Sequence, residues 1–333
     1  MGDNNTRLLN WLEEIFLDRE IVDISPLREQ ASFREFFRVK TKHTSYIACI
    51  SPPDREQNEN FIYFSNFYKE HDIKVPKIEA FDESNGFFLL EDFGDSLVQK
   101  ISNKESRFNL INIAIEEIIK IQNCPTEYSF KKMDRKVSLM QMKLFETWFL
   151  KKFLQVEINR NERVLLDKVY KDVNEHFFNC PQVLCHFDFE TRNLMDIGSK
   201  KVGVLDYQDS LVGPIFLDLV SLLKDLDYPL SEEEQMDFLK FYIKKSNKNY
   251  DLDKQSLLKS KEFYDIVGLQ RQLRILGTLA RLHLRDAKSF RLVDLPKTLE
   301  YVLNVTEKYR IFEEFNSFLK SRIEKILKDK IRA

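Results

Sequence analysis

Glycine is scarce, with 8 among 333 residues. No segment combines it with proline or serine into a flexible linker or a low-complexity tract, and no internal repeat is visible. Cysteine is sparser still. Cys49, Cys124, Cys180 and Cys185 are scattered with no CxxC spacing, which argues against a disulfide framework or a zinc site and for buried thiols in a reducing compartment. No apolar run is long enough to span a bilayer. Residues 1–18 lack the apolar core and small-residue cleavage site of a signal peptide, so a cytoplasmic location is expected. Nor is there an excess of one charge: the net value is -2. The balance gives no reason to expect nucleic acid or a membrane surface as the main partner.

What the chain has is length and ordinary core material. Hydrophobic residues make up 43% and charged residues 32%, and 333 residues suffice for two lobes. Leu8, Leu9, Trp11, Leu12, Ile15 and Phe16 recur at helical spacing. Residues 32–39 and 45–50 then read as a strand hairpin, residues 60–70 as a helix, and residues 77–81 and 87–91 as a second strand pair around a turn ending in Gly86. Beyond residues 92–95 the pattern becomes helical, at 108–122, 140–154 and 162–178. A β island interrupts it: a strand at 182–187, then a hairpin of 194–197 and 202–207. From Asp218 onward helix is expected to the end. The fold class is α+β. We expect a small β-rich N-lobe over residues 1–91, a hinge at 92–95, and a larger, mainly helical C-lobe over 96–333.

The chemistry lies in residues 186–225. His186-Phe187-Asp188-Phe189-Glu190-Thr191-Arg192-Asn193 reads HxDxxxxN directly after a strand. Phosphoryl transfer to a hydroxyl needs a carboxylate beside the acceptor and oxygen ligands for Mg²⁺. Asp188 is the candidate base, Asn193 a candidate metal ligand, and Asp206, at the end of an apolar strand, the second metal ligand. Singly, each residue reads equally well as a cap or a turn; strand, motif, hairpin and strand-plus-acid together are far rarer. His186 more often braces such a loop than transfers protons.

This run resembles the aminoglycoside phosphotransferase superfamily, which includes the choline kinases and shares the protein-kinase-like two-lobe fold. Leu205-Asp206-Tyr207-Gln208-Asp209, Gly213-Pro214 and Asp218-Leu219-Val220-Ser221-Leu222-Leu223-Lys224-Asp225 narrow the likeness to the bacterial anomeric kinases of N-acetylmuramate and N-acetylglucosamine. So do Ala31 to Arg38, Phe87 to Asp95, Leu144 to Leu150 and Leu269 to Gly277. The resemblance spans about residues 25–305. It implies ATP and Mg²⁺ as cofactors and a small-molecule partner, an amino sugar phosphorylated at its 1-hydroxyl for peptidoglycan recycling. Oligomeric state is not indicated.

Two family features are missing. No lysine stands at Ala48-Cys49-Ile50, where kinases often carry a phosphate-binding one, and Arg34, Arg38 and Lys40 are the basic substitutes nearby. Residues 27–32, at the place of the nucleotide-covering loop, hold no glycine; Ser32 and backbone N–H groups are the candidates to cover phosphate. Adenine is expected at Glu91 and Phe93. For the acceptor the candidates are Asp209, Glu190 and Arg271, with Glu146 and Trp148 as a wall. Arg271, Arg274, Arg281 and Arg285 fall opposite an apolar helix face. They read either as a solvated basic stripe or as a grip for an anionic sugar such as muramate. Two other functions stay open: another phosphotransferase of the superfamily, acting on an aminoglycoside or choline, and a nucleotide-binding pseudokinase.

Overall fold

The computed structural model describes residues 3–16, 21–27, 33–127, 129–250 and 257–332. Contacts divide the chain into two compact units, residues 1–121 with 192–210, and residues 122–191 with 211–333.

The first unit is built on a five-stranded sheet. Its elements are α1 (Asp3–Ile15), β1 (Ile21–Pro26), β2 (Glu35–Thr41), β3 (Ser45–Ile50), α2 (Asn58–Glu70), β4 (Ile78–Asp82) and β5 (Phe87–Glu91). The strand order is β1-β2-β3-β5-β4 and every pairing is antiparallel. Alternation explains how both faces are used. Val39, Ala48, Ile50, Phe87 and Leu89 meet Leu8 and Leu12 of α1, and Phe16 just after it, in one buried cluster. Phe88, on the opposite face, packs edge-on against Phe61 of α2 at 5.1 Å between ring centroids. A strand covered on both faces has no polar side, so Phe87 to Leu90 reads as an unbroken apolar run.

The expected strands and helices are largely present, with shifted boundaries. The first hairpin begins at Glu35 rather than residue 32, and the helix expected at 60–70 starts at Asn58. β1 was not expected. It is an edge strand carrying Asp23 and ending in Pro26, devices that blunt an exposed edge and also mask its strand signal. The unit also holds most of α3 (Lys104–Asn123) and, after a long excursion of the chain, a two-stranded hairpin described below.

The second unit is mainly helical. It contains α4 (Arg135–Leu144), α5 (Arg160–Asn179), β6 (Gln182–Cys185), and the hairpin-flanking strands of the chain continue as β7 (Leu194–Asp196) and β8 (Val202–Val204) of the first unit. Then follow β9 (Leu211–Pro214), α6 (Leu217–Leu223), α7 (Glu232–Tyr250), α8 (Leu257–Asp286), α9 (Leu295–Lys308), α10 (Glu313–Phe318) and α11 (Glu324–Arg332). The helix expected at 140–154 is α4 running on into a π-helical stretch, Phe145–Phe153. That stretch buries Phe145, Phe149 and Phe153 in the same core as Leu269, Leu273 and Leu276 of α8. The two backbones approach closely: a Cβ on Gly277 would lie 2.2 Å from the Leu144 carbonyl carbon. Only glycine fits there without a shift. Among the described residues no helix is long and apolar enough to cross a membrane.

Candidate active site

The HxDxxxxN segment leaves β6 of the second unit, which pairs antiparallel with β9, and its residues 186–191 stay in that unit. β9 was not expected, because Leu211–Pro214 is four residues long and ends in proline. Two buried carboxylates shape the loop that follows. Asp218, in the first turn of α6, accepts hydrogen bonds from the backbone N–H of His186 at 2.7 Å and of Phe187 at 2.9 Å. Asp225, just past the end of α6, accepts from the Thr191 N–H at 2.8 Å and the Thr191 hydroxyl at 2.6 Å. Burial pushes both carboxyls above their ordinary range, while these donors pull them back toward the charged form. The loop from 186 to 191 is thus fastened at both ends by one short helix.

Between the anchors, Phe187 adopts a φ of +83°, a sparsely populated region for a bulky residue and one held only when its surroundings determine it. The guanidinium of Arg274 lies over the Phe187 ring, 4.5 Å from its centroid. The same guanidinium stands 3.3 Å from Asp188 Oδ1. Burial draws the Arg274 pKa down and Asp188 opposes that shift. One turn earlier on α8, buried Arg271 bonds Glu190. His186 is wholly buried with its ring edge-on to Phe189.

The arginine stripe is therefore split. Arg271 and Arg274 face the loop, at positions three apart on α8, and meet acids two apart in the loop. Arg281 is half-buried, and only Arg285 is exposed, paired with Asp286 at 2.7 Å. A uniformly solvated face is not what forms. Glu146 lies in the helical core, bonded by Arg163 and, at 2.7 Å, by Lys151. The Arg163 bond holds its carboxyl down at about 2. Trp148 is half-buried beneath Lys152.

In the first unit, Asn193 and Asp206 sit at the open end of the β7–β8 hairpin. The register pairs Leu194 with Val204, and the Leu205 N–H donates to the Asn193 carbonyl at 2.9 Å. The hairpin thereby sets Asn193 opposite the residue before Asp206. Asp206 is exposed, has a φ of +63°, and accepts from the Gln208 side chain at 2.8 Å. Tyr207 turns inward, stacked on Phe61 at 5.1 Å, and Ser210 bonds its carbonyl at 2.7 Å. That buried anchor leaves Asp209 exposed in the turn. Asn193 and Asp206 offer amide and carboxylate oxygens, the hard donors that suit Mg²⁺.

The other expected nucleotide residues also lie in this unit. Glu91 ends β5 and is bonded by Lys74 at 2.8 Å and by the Lys77 N–H at 3.2 Å. Phe93 is half-buried under Lys74, 5.2 Å from the ring centroid. Arg34 is buried; it donates to the Ser51 hydroxyl at 2.9 Å and lies 5.2 Å over the Phe61 ring. Arg38 bonds Asp92, Asp95 and the Gly94 carbonyl, tying β2 to residues 92–95. Ser32 lies outside the described residues.

The sequence reading missed the roles of Asp218, Asp225 and Arg274. A signal for the first two was present: acids on either side of the mostly apolar run Leu219–Leu223 have no solvent to face. Nothing in the sequence singled out Arg274 from the other arginines of the stripe.

The acid on the loop of the second unit, and the Asn and Asp on the hairpin of the first, are the kinds of group that phosphoryl transfer uses. The chain belongs to the phosphotransferase enzyme family, which it matches over residues 23–253. It is 29% identical over 309 residues to a curated N-acetylmuramate/N-acetylglucosamine kinase of Neisseria meningitidis serogroup B, covering 91% of each chain. To a protein of the same name from Pseudomonas putida it is 28% identical, covering 92% of this chain and 93% of that one. Among solved structures, an ADP-bound aminoglycoside phosphotransferase superposes with a TM-score of 0.61 at 13% identity, covering 89% of this chain and 97% of that one. The fold is the protein-kinase-like one expected from the sequence.

Proposed function

We propose that this phosphotransferase uses ATP to phosphorylate the anomeric hydroxyl of N-acetylmuramate or N-acetylglucosamine. The observation that carries the chemistry is the placement of Asp188, half-buried on a loop pinned by Asp218 and Asp225 and flanked by the Arg274 guanidinium. The choice of acceptor is supported by the relatives of that name, which align along nine-tenths of the chain.

In this reading Asp188 accepts the proton of the anomeric hydroxyl as the sugar oxygen bonds to the γ-phosphorus. The bond from that phosphorus to the β,γ-bridging oxygen breaks, and ADP leaves with its electron pair. Asn193 and Asp206 would hold Mg²⁺, which neutralises phosphate charge when bound. Glu91 and Phe93 would receive adenine, with Ser32 and Arg34 toward the phosphates. Glu190, Arg271 and Asp209 would serve the acceptor. Because Glu190 and Arg271 are bonded to each other, they would act there as one unit, with the carboxylate receiving a sugar hydroxyl. The product would be a sugar 1-phosphate made in the cytoplasm, available for return to cell-wall precursors.

The test is acceptor-dependent ADP release from Mg-ATP, measured against N-acetylmuramate, N-acetylglucosamine, choline and an aminoglycoside. Turnover confined to the two amino sugars is expected. ADP release driven only by choline or the antibiotic would replace the acceptor assignment, and release with none would favour a nucleotide-binding scaffold.

A further inference from the structure

Residues 92–95 follow directly on β5, and two other elements of the first unit fix their shape. In the register of the sheet Tyr46 faces Glu91, which brings Ser45 beside Asp92. The Ser45 hydroxyl donates to Asp92 Oδ2 at 2.7 Å. Arg38, on the neighbouring strand β2, reaches the same carboxylate. Its Nε lies 2.8 Å from Oδ2, and its Nη2 donates to Oδ1 at 3.1 Å. Nη2 also donates to the Gly94 carbonyl at 2.9 Å, and Nη1 to Asp95 Oδ1 at 2.7 Å. The Asp92 side chain is 3% exposed and that of Arg38 14%. A shielded fork of this kind fixes geometry in a way that a solvated surface pair does not.

The β7–β8 hairpin holds the segment from another side. A Cβ on Gly203 of β8 would lie 2.5 Å from the Phe93 ring, so the ring rests in the space that glycine leaves. Within the segment the backbone is unevenly engaged. The Gly94 N–H donates to Asp92 Oδ1 at 2.8 Å, and the Gly94 carbonyl takes Arg38. The Asp95 carbonyl takes the Leu97 N–H at 3.0 Å. Phe93 differs: neither its N–H nor its carbonyl bonds another described residue, and the residue is only half-buried. One donor and one acceptor on a fixed backbone suit the Watson–Crick edge of adenine, which offers one of each in return.

Arg38 stands near the place where kinases often carry a phosphate-binding lysine, yet all three of its guanidinium nitrogens are turned to residues 92–95. We propose that Arg38 is a positioning residue for the nucleotide base: by holding Asp92 and Gly94 it presents the peptide groups of Phe93 to adenine, and it does not meet phosphate. This role rests on adenine being received at Glu91 and Phe93, as in the function proposed above.

The test is binding of adenosine and of ADP to the full chain, read at the Phe93 amide in protein labelled with ¹⁵N-phenylalanine and assigned by its loss in Phe93→Leu. In wild type both ligands should shift that amide. Arg38→Gln should weaken adenosine and ADP by the same factor, about tenfold, the order of the ordering cost that a preformed site avoids. Its KM for the sugar acceptor should stay within about twofold, which separates a loss at the base from a general loosening of the fold. Arg38→Lys keeps the charge but not the fork and should recover only part of the loss; it gives the same comparison if the glutamine variant does not fold. Weaker ADP with adenosine unchanged would put Arg38 at the phosphates. Wild-type affinities in both variants would show that residues 92–95 keep their shape without it, and an acceptor KM that rises as much as the nucleotide Kd would make its role one of general stability. Each of these overturns the proposal and leaves the adenine site standing. A Phe93 amide that neither ligand moves in wild type would remove adenine from this segment, and the proposal with it.

Discussion

Arg274 stands 3.3 Å from Asp188 Oδ1 and stacks its guanidinium 4.5 Å above Phe187. One planar cation thus fixes two successive residues of the loop, the second being the proposed base. A guanidinium restricts the carboxylate to orientations that keep this contact and lowers the cost of its charge in a half-buried place. Arg274→Gln is expected to lower kcat about 100-fold, the lower range of what a positioned general base contributes, with the KM for ATP within about twofold. Arg274→Lys, which keeps the charge, should recover most of that loss. Equal kcat values for Arg274→Gln and wild type would show that Asp188 is oriented without it.

The loop's hold on α6 gives a stability prediction. Replacing Asp218 by alanine strands two backbone N–H groups, that of wholly buried His186 and that of half-buried Phe187. Hydrogen bonds to a charged group contribute about 1.5–3 kcal/mol each, so urea denaturation should show a loss of about 3–6 kcal/mol for the two. Asp218→Asn keeps one acceptor oxygen and should lose less. An Asp218→Ala protein as stable as wild type would mean that the two N–H groups find other partners.

Asp206 is exposed at the open end of its hairpin and, in the proposed role, carries a metal ligand rather than a structural contact. Asp206→Ala should therefore abolish turnover while leaving the melting temperature within about a degree. Titration of Mn²⁺ in the presence of a non-hydrolysable nucleotide should show its metal affinity falling at least tenfold. Unchanged metal affinity would remove Asp206 from the metal site.

The four thiols offer an independent check of the core. Cys49, Cys124, Cys180 and Cys185 are all buried, and none of them forms a disulfide. Burial raises Cys49 and Cys180 to about 12 and Cys124 to about 11, and lifts Cys185 as well. A thiol held protonated in the folded state disfavours folding once the unfolded thiol ionises, so this contribution is present below about pH 9 and is lost as pH rises above it. At pH 8 an aromatic disulfide reagent should leave all four unreacted in the native protein and modify all four in guanidinium. Rapid modification of the native protein would contradict the packing around them.

Much of this was legible in the sequence because the chemistry is local. HxDxxxxN, the hairpin and the acid after it lie within about twenty residues, and strand and turn periodicity placed them on the right elements. The roles that escaped notice depend on distant partners. Asp218 looks like an ordinary first-turn acid until its carboxylate is seen to bond the backbone of residues 186 and 187. Arg271 and Arg274 lie opposite an apolar stripe, where solvent is the default expectation; the loop that covers them comes from more than eighty residues away. β1 and β9 are short and carry proline, so their strand character comes from pairing rather than from propensity.

The central claim is a kinase that acts on the anomeric oxygen of an N-acetylated sugar, and a phosphorus NMR spectrum addresses it directly. After incubation with Mg-ATP and N-acetylmuramate or N-acetylglucosamine, the account predicts a new phosphomonoester signal coupled to the anomeric proton, growing as ADP appears and missing with Asp188→Asn. A phosphoester coupled to any other sugar proton, or no sugar phosphate from a protein that binds ATP, would contradict it.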